Sequence, residues 1–171
     1  MSQRNYKIDR NSIKIRNPDI NDGAKIWGLI HESKPLDPNS SYLYLLLCQH
    51  FSNTCLVADC DARLLGFVSA YFPPKLRNVI FIWQIAVHKS ARGHGLAKDL
   101  LHKLLQRDEC KGIKFIETTV SPSNEASKKL FRSFARDLNV ECQQMAFFPK
   151  NIFPPEENHE EENLFRLGPL H

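Results

Sequence analysis

The chain of 171 residues is long enough to form one domain with a complete hydrophobic core. Its hydrophobic fraction of 42% and its charged fraction of 25% are ordinary for a globular protein. The formal net charge is only +4, and no basic run interleaved with aromatic residues appears, so the composition argues against a nucleic-acid-binding protein. No apolar run reaches the length of about 18 residues that indicates a membrane-spanning helix.

The cysteines and the N-terminal residues favour a cytoplasmic protein. The five cysteines are odd in number, scattered and without C-x-x-C spacing, which indicates reduced thiols and argues against a structural zinc site. The N-terminal stretch MSQRNYKIDRNS is polar and contains no apolar signal region. We therefore expect no secretion.

Residues 1–11 are predicted to form a flexible N-terminal tail, and residues 12–171 a single domain without internal repeats. The first predicted elements are a half-buried strand over 12–16, a helix over 24–32, a loop with two prolines over 35–40 and a helix over 41–51. The last of these helices is apolar on more than one face. This indicates burial between elements or a contact between subunits.

The second half of the chain alternates strands with helices. The predicted elements are strands over 54–58 and 64–72 joined by a hairpin turn, a strand over 79–87, a helix after Gly95, a strand over 113–120, a helix capped by Ser123, a strand over 140–148 and a short strand over 164–167. The helix after Ser123 places Ala126, Leu130, Phe134 and Leu138 at spacing four. This order predicts an α/β fold with a mixed sheet.

The stretch from Val79 to Arg107 has the pattern of an anion site, with a strand, a short basic turn containing glycines, and an amphipathic helix. The first N–H groups of a helix lack intrahelical partners and lie at the positive end of the helix dipole. Gly93 and Gly95 leave room for a phosphate beside the backbone, and Arg92 adds a positive charge. The pattern predicts a pyrophosphate cradle. The alternative is an ordinary connection in which glycines permit tight packing.

The turn differs from the two best-known phosphate loops. No Lys-Ser or Lys-Thr follows Gly95, and Lys98 stands where a dinucleotide fingerprint has its third glycine. Arg92, Gly95 and Ala97 do fit an R/Q-x-x-G-x-G/A motif, and the turn resembles that of the Gcn5-related N-acetyltransferase (GNAT) family. This resemblance implies acetyl-coenzyme A as co-substrate, no metal, and the GNAT fold, a mixed, mostly antiparallel central sheet flanked by helices.

The GNAT resemblance also implies which residues hold the cofactor. The pantetheine arm would pair with the backbone of the strand over 83–87, where a bulge near Ile85 would direct a catalytic N–H at the thioester oxygen. The implied cofactor-binding residues are Ile85, Ala86, Val87, Arg92, Gly93, His94, Gly95, Leu96, Ala97, Asn124 and Lys129. Phe131 replaces the tyrosine that usually serves the family as general acid. The departing thiolate must then leave unprotonated, or take its proton from water or another group.

Longer stretches resemble one branch of the GNAT family, the L-2,4-diaminobutyric acid acetyltransferases. They are LDPNSSYLYLLLCQHFSNTCLVAD, LLGFVSAYFPP, FIWQIAVHKSARGHGLAKDLL, ETTVSPSNEASKKLFRSFAR and HEEENLFRLGPL, and together they cover most of 36–170. This resemblance implies acetyl transfer from acetyl-coenzyme A to the γ-amine of L-2,4-diaminobutyrate. The product would be the precursor for synthesis of ectoine, a compatible solute made under osmotic stress. The resemblance also implies a homodimer.

A site for diaminobutyrate needs carboxylates and a proton acceptor, because both amines are mostly protonated at neutral pH. The predicted substrate-binding residues are Asp37, Trp83, Glu157, His159 and Glu160. His159, within the acidic segment 156–162, is the predicted catalytic base because imidazole titrates near neutrality, and Glu117 is its substitute. The alternatives are a turn residue for Asp37, a core side chain for Trp83 and a solvated loop for the acidic segment.

Two other functions remain open at the level of the sequence. One is an acetyltransferase for another small polyamine or amino acid. The other is a non-catalytic acyl-coenzyme A-binding module, which the replacement of the family tyrosine by Phe131 keeps under consideration.

Overall fold

The computed structural model describes residues 10–171. The predicted flexible tail over 1–11 therefore lies outside the described residues except at its end. Arg10–Ser12 form a 3₁₀ turn that leads into the first strand. The predicted strand over 12–16 is shorter than expected and covers only Lys14–Arg16.

The described residues form seven strands and four α-helices. The strands are β1 (Lys14–Arg16), β2 (Cys55–Cys60), β3 (Arg63–Tyr71), β4 (Val79–Val87), β5 (Phe115–Val120), β6 (Cys142–Phe148) and β7 (Glu162–Leu167). The helices are α1 (Gly23–His31), α2 (Ser41–His50), α3 (Leu96–Leu105) and α4 (Glu125–Asp137). The predicted order of elements is confirmed, including the last short strand.

The strands follow one another across the sheet in the order β1-β2-β3-β4-β5-β7-β6. Strand β4 pairs with β5 in parallel, from Val79 opposite Phe115 to Phe81 opposite Glu117. The pairs β1–β2, β2–β3, β5–β7 and β6–β7 are antiparallel. The sheet is therefore mixed and mostly antiparallel, as the GNAT resemblance implied.

The chain divides into two compact units. The first contains the described residues up to Ser69 and Gln84–Leu104, and the second contains Ala70–Trp83 and Leu105–His171. Strands β3 and β4 each contribute residues to both units. The single domain expected over 12–171 stays a prediction.

The first unit has a hydrophobic core between its two N-terminal helices and its strands. The buried members are Ile26, Leu29, Ile30, Tyr44, Leu47, Cys48, Cys55, Val57, Phe67 and Ala86. Helix α3 packs closely on β3 in the same unit. The approach is so close at Gly66 that a Cβ there would lie 3.0 Å from Leu100 Cδ1. This packing fixes the start of α3 against the sheet.

Two details of the predicted helix α4, which lies in the second unit, are wrong. Its N-cap is Asn124 and not Ser123, because the Asn124 side chain accepts a hydrogen bond from Ser127 N at 3.1 Å. Its buried residues are Phe131, Phe134 and Ala135, whereas Ala126 is exposed. A strict spacing of four drifts around a helix of 3.6 residues per turn, so the predicted face left out Phe131.

No helix among the described residues is long and apolar enough to cross a membrane. All five cysteines lie in the described part of the chain, and none of them is in a disulfide.

Candidate active site

Strand β4 alternates between buried and accessible side chains over its second half. Gln84 and Ala86 are buried, whereas Ile85 and Val87 are half-buried. Trp83 is 41% exposed, which excludes the alternative that it is a core side chain. The alternation follows from the period of two along a strand, and it leaves one face of β4 lined by Trp83, Ile85 and Val87.

The turn after β4 contains two glycines with positive φ. Gly93 has φ of 77° and Gly95 has φ of 83°, a region in which a residue with a Cβ is strained. Arg92 Nε donates to Val87 O at 2.9 Å, and His94 Nδ1 donates to Arg92 O at 2.7 Å. The side chains of the turn thus hold it in shape while its glycine backbone stays exposed.

Helix α3 follows this turn directly. The N–H of Asp99 donates to Gly95 O at 3.1 Å, so Gly95 accepts the first hydrogen bond of the helix and Leu96 is its first residue. Leu96 is buried and Ala97 is half-buried, and both belong to the first turn, where backbone N–H groups are available to an anion. The first unit therefore brings together all the predicted cradle residues from Arg92 to Ala97.

The loop that carries Asp37 is tied to β4 by a buried glutamine. Gln84 Nε2 donates to the backbone oxygen of Asp37 at 3.0 Å. Gln84 Oε1 accepts a hydrogen bond from the Tyr44 hydroxyl at 3.2 Å, and Tyr44 itself is fully buried. The sequence did not reveal this role of Gln84 and Tyr44. The one available signal was a glutamine inside an otherwise apolar strand, since a buried amide requires hydrogen-bonding partners.

In the second unit, the start of α4 holds the other predicted cofactor residues. Asn124 caps the helix through Oδ1, so its amide Nδ2 is the donor side of the group. Lys128 donates to Pro122 O at 2.6 Å and pairs with Glu125 within the helix. Lys129 is exposed. Of the two lysines, Lys129 is therefore the more exposed.

The acidic segment is anchored to the start of α4. Glu160 Oε2 accepts a hydrogen bond from Ser123 N at 3.0 Å. Hydrogen bonds from the Ser123 side chain and backbone lower the pKa of Glu160, which stays ionised at neutral pH. Glu157 is fully on the surface at the end of a 3₁₀ turn. The side chain of Glu160 thus attaches the segment to the start of α4, whereas Glu156 and Glu157 are exposed, as they would also be in a solvated loop.

The ring of His159 is fixed in orientation. It stacks on Phe153 with ring centroids 4.0 Å apart, and its Nδ1 lies 2.6 Å from Glu160 O. A carbonyl oxygen only accepts, so Nδ1 carries the proton in the neutral ring and the lone pair lies on Nε2. This is the tautomer that can accept a proton at Nε2.

Glu117, the predicted substitute base, lies in an ion pair. Arg166 Nη1 is 3.0 Å from Glu117 Oε1, and the Arg166 guanidinium also lies over the ring of Phe115. Burial, together with the Glu117 charge, raises the pKa of the neighbouring Tyr71, which therefore stays protonated at neutral pH. The carboxylate of Glu117 is therefore paired with a cation.

Phe131 occupies the core of the second unit with 1% of its surface exposed. At the position where the family usually has the general-acid tyrosine, this chain has a core phenylalanine. Between residues 10 and 171, no group of three or more His, Cys, Asp or Glu side chains is arranged to hold a metal ion.

Residues 24–135 match a protein-family sequence model described as "Acetyltransferase (GNAT) family". The chain belongs to the GNAT family of acetyltransferases. The GNAT match runs from α1 into α4 and includes the turn with Arg92, Gly95 and Ala97. The glycine turn therefore lies inside the region that the family model matches.

Two relatives extend the GNAT similarity over most of the sequence, and both are called L-2,4-diaminobutyric acid acetyltransferase. The protein from Halalkalibacterium halodurans is 46% identical over 160 residues, which are 94% of this chain and 84% of the relative. The protein from Marinococcus halophilus is 43% identical over 170 residues, which are 99% of this chain and 96% of the relative. The resemblance to this GNAT branch is confirmed.

A solved GNAT structure agrees in fold as well as in sequence. The diaminobutyrate acetyltransferase EctA from Paenibacillus lautus is 39% identical, has a TM-score of 0.89, and the match covers 92% of this chain and 95% of that chain. That structure is a complex with its substrate L-2,4-diaminobutyric acid and coenzyme A. Ard1 from Thermoplasma volcanium, at 13% identity and a TM-score of 0.74, shares the GNAT fold.

Proposed function

We propose that this chain is a diaminobutyrate acetyltransferase, which moves an acetyl group from acetyl-coenzyme A to the γ-amine of L-2,4-diaminobutyrate. The observation that carries the proposal is the similarity to Paenibacillus lautus EctA, at 39% identity and a TM-score of 0.89. The product is N-γ-acetyl-diaminobutyrate, the precursor for ectoine synthesis under osmotic stress. The reduced cysteines of the chain and the proposed acetyl-coenzyme A substrate fit a cytoplasmic enzyme.

In the proposed cofactor site the diphosphate lies on the turn from Arg92 to Ala97. The positive φ values of Gly93 and Gly95 support this, because they expose backbone that a Cβ would cover. The pantetheine arm runs along β4 at Ile85, Ala86 and Val87, where its amides pair with the backbone as an added strand would. Asn124 and Lys129 contribute polar contacts from the start of α4.

In the proposed reaction the neutral γ-amine attacks the thioester carbon. The carbon–nitrogen bond forms, the carbon–sulfur bond breaks, and the thiolate of coenzyme A leaves. The backbone N–H of Ile85 stabilises the negative charge on the thioester oxygen. Because Phe131 has no proton to give, the thiolate takes its proton from water or another group.

The proton lost by the ammonium goes to His159 in this proposal. The hydrogen bond between Nδ1 and Glu160 O supports the role, since it sets the tautomer with the lone pair on Nε2. Trp83 packs against the ammonium group with its exposed indole, and Asp37, Glu157 and Glu160 supply negative charge. The acceptor is a small dication, so placed charges rather than apolar area select its γ-nitrogen.

We also propose that the enzyme is a homodimer. Helix α2 was the predicted contact, but Tyr44, Leu47 and Cys48 point into the core of their own unit. Strand β6 offers stronger support, because residues 143–148 are exposed on both faces and include Met145, Phe147 and Phe148. An edge strand with exposed apolar side chains is a preferred site of association between chains.

Release of the coenzyme A thiol in the presence of acetyl-coenzyme A and a series of diamines tests the proposed function. We expect release with L-2,4-diaminobutyrate and much slower release with ornithine and lysine. Equal rates with all three would favour an acetyltransferase of broad specificity. Cofactor binding without release on any amine would favour the non-catalytic acyl-coenzyme A module.

A further inference from the structure

Arg10 lies beside Gly95 of the proposed cradle although it precedes residues 24–135, the region that the GNAT family model matches. Its Nη2 atom is 3.6 Å from the place that a Cβ on Gly95 would occupy. The same nitrogen donates to Asp99 Oδ2 at 2.7 Å. The guanidinium therefore lies directly beside the backbone on which the diphosphate is proposed to rest.

The turn that carries Arg10 is attached to the body of the first unit. Ile13 N donates to Arg10 O at 3.2 Å, which closes the 3₁₀ turn. The hydroxyl of Ser12 lies 2.9 Å from Cys60 Sγ at the end of β2. Strand β1 follows at once and pairs with β2. These contacts hold Arg10 beside Gly95 instead of leaving it on a free tail.

Arg10 pairs with Asp99, a carboxylate whose position is unfavourable for the binding of an anion nearby. Asp99 is the acidic residue in the first turn of α3, and its N–H is bonded to Gly95 O at 3.1 Å. A negative charge there would repel a phosphate at the same helix end. Arg10 compensates this charge. Its side chain remains 57% exposed, which leaves donors of the guanidinium fork accessible to a ligand.

We infer that Arg10 is a further cofactor-binding residue, whose guanidinium donates to a phosphate group of coenzyme A above Gly95 while it compensates the charge of Asp99. The inference rests on the proposed function, because it assumes that the cradle receives acetyl-coenzyme A. Arg10 and Arg92 then supply positive charge to the same loop from two different segments of the chain. Either the diphosphate or the 3′-phosphate of the cofactor can accept a hydrogen bond from a guanidinium. The ligands used in the test distinguish between these two groups.

The test measures dissociation constants of the full chain by isothermal titration with coenzyme A, 3′-dephospho-coenzyme A and pantetheine. In Arg10→Ala we expect coenzyme A to bind about tenfold more weakly, the loss of one hydrogen bond between charged groups. Pantetheine lacks both the diphosphate and the 3′-phosphate of coenzyme A, so its affinity should not change. A loss retained with dephospho-coenzyme A assigns the contact to the diphosphate, and a loss confined to coenzyme A assigns it to the 3′-phosphate.

The matched control is Lys14→Ala, which removes an exposed cation from β1 and should leave all three affinities unchanged. The Arg10→Ala effect should persist in an Asp99→Asn background, where the ion pair is absent. If Arg10→Ala lowers only the melting temperature, Arg10 is a structural residue and the inference is overturned. Arg10→Gln, which keeps donors without charge, provides the same test should the alanine variant fail to fold.

Arg92→Ala separates failure of the inference from failure of the proposed function. If coenzyme A binds Arg92→Ala weakly and Arg10→Ala normally, the cradle stands and Arg10 is no part of it. If neither variant changes the affinity, the cofactor lies elsewhere and both proposals are wrong.

Discussion

At the scale of single residues, His159, the proposed base, has its ring held by a neighbouring backbone group. Its Nδ1 is engaged with Glu160 O, and its ring rests on Phe153. Both contacts restrict the ring to one orientation and one tautomer. A base held in this way needs no reorganisation before it accepts a proton, which is the advantage that a positioned group has over water.

We predict that His159→Ala lowers kcat for diaminobutyrate by about 100-fold or more, the usual contribution of a general base. Activity should recover in part at high pH, because the γ-amine then loses its proton to solvent. The affinity for acetyl-coenzyme A should stay within about threefold, which is less than roughly 0.7 kcal/mol. His50→Ala, at an exposed position at the end of α2, is the control. Wild-type kinetics for His159→Ala would assign the base elsewhere.

Gly95 gives a second prediction at this scale. Gly95→Val should weaken acetyl-coenzyme A binding more than Arg92→Ala, whose lost phosphate contact amounts to about 1.5–3 kcal/mol. A β-branched residue resists the φ of 83°, and its side chain would take the space of the phosphate and approach Arg10. Titration calorimetry measures both variants. Gly28→Ala is the control, since nothing lies within 4 Å of a Cβ there. Normal binding by folded Gly95→Val would exclude the cradle.

At the scale of elements, the acidic segment is continuous with the sheet. It leads directly into β7, which lies between β5 and β6 in the strand order and buries Leu164, Phe165 and Leu167. A truncation after Pro155 would remove this strand, so it would report on folding rather than on the acceptor site. Point variants such as His159→Ala are therefore the informative changes in this segment.

The loop that carries Asp37 offers an element-scale prediction. Tyr44→Phe removes the buried hydroxyl that donates to Gln84 Oε1, and Gln84 in turn holds the backbone of Asp37. An acceptor left without its donor costs about 1–3 kcal/mol, so the melting temperature should fall by several degrees. The KM for diaminobutyrate should rise while cofactor affinity stays unchanged.

Tyr42→Phe is the matched control, because Tyr42 is 65% exposed on the same helix. Thermal unfolding and steady-state kinetics measure both effects. If Tyr44→Phe lowers the melting temperature but leaves KM unchanged, the Gln84 link stabilises the core without positioning the acceptor loop.

At the scale of the whole molecule, the local patterns gave the fold but not the links between distant segments. The strand, glycine turn and leucine face of 79–105 are consecutive in the chain, so their periodicity and turn chemistry predicted β4 and α3 directly. The bonds of Gln84 to Asp37 and of Arg10 to Asp99 join residues far apart in sequence. No periodicity reveals such pairs, because they depend on how the elements pack.

The exposed strand β6 leads to a prediction about assembly. Sedimentation equilibrium should give a species of about twice the chain mass of 19.7 kDa at micromolar concentration. Phe147→Glu should produce a monomer, since Phe147 is 46% exposed on this edge strand and its replacement puts a charge into the interface. Tyr42→Glu on α2 should leave the dimer intact. A dimer broken by Tyr42→Glu and not by Phe147→Glu would place the interface on α2.

The most direct measurement of the proposed activity is mass spectrometry of the product formed from acetyl-coenzyme A and L-2,4-diaminobutyrate, with ornithine and lysine as competing amines. Fragmentation reports which nitrogen carries the acetyl group. Placed charges at the acceptor site should give the γ-N-acetyl product almost exclusively, with diaminobutyrate consumed first from the mixture. Acetylation of the α-nitrogen, or consumption of ornithine or lysine ahead of diaminobutyrate, would contradict the proposed function.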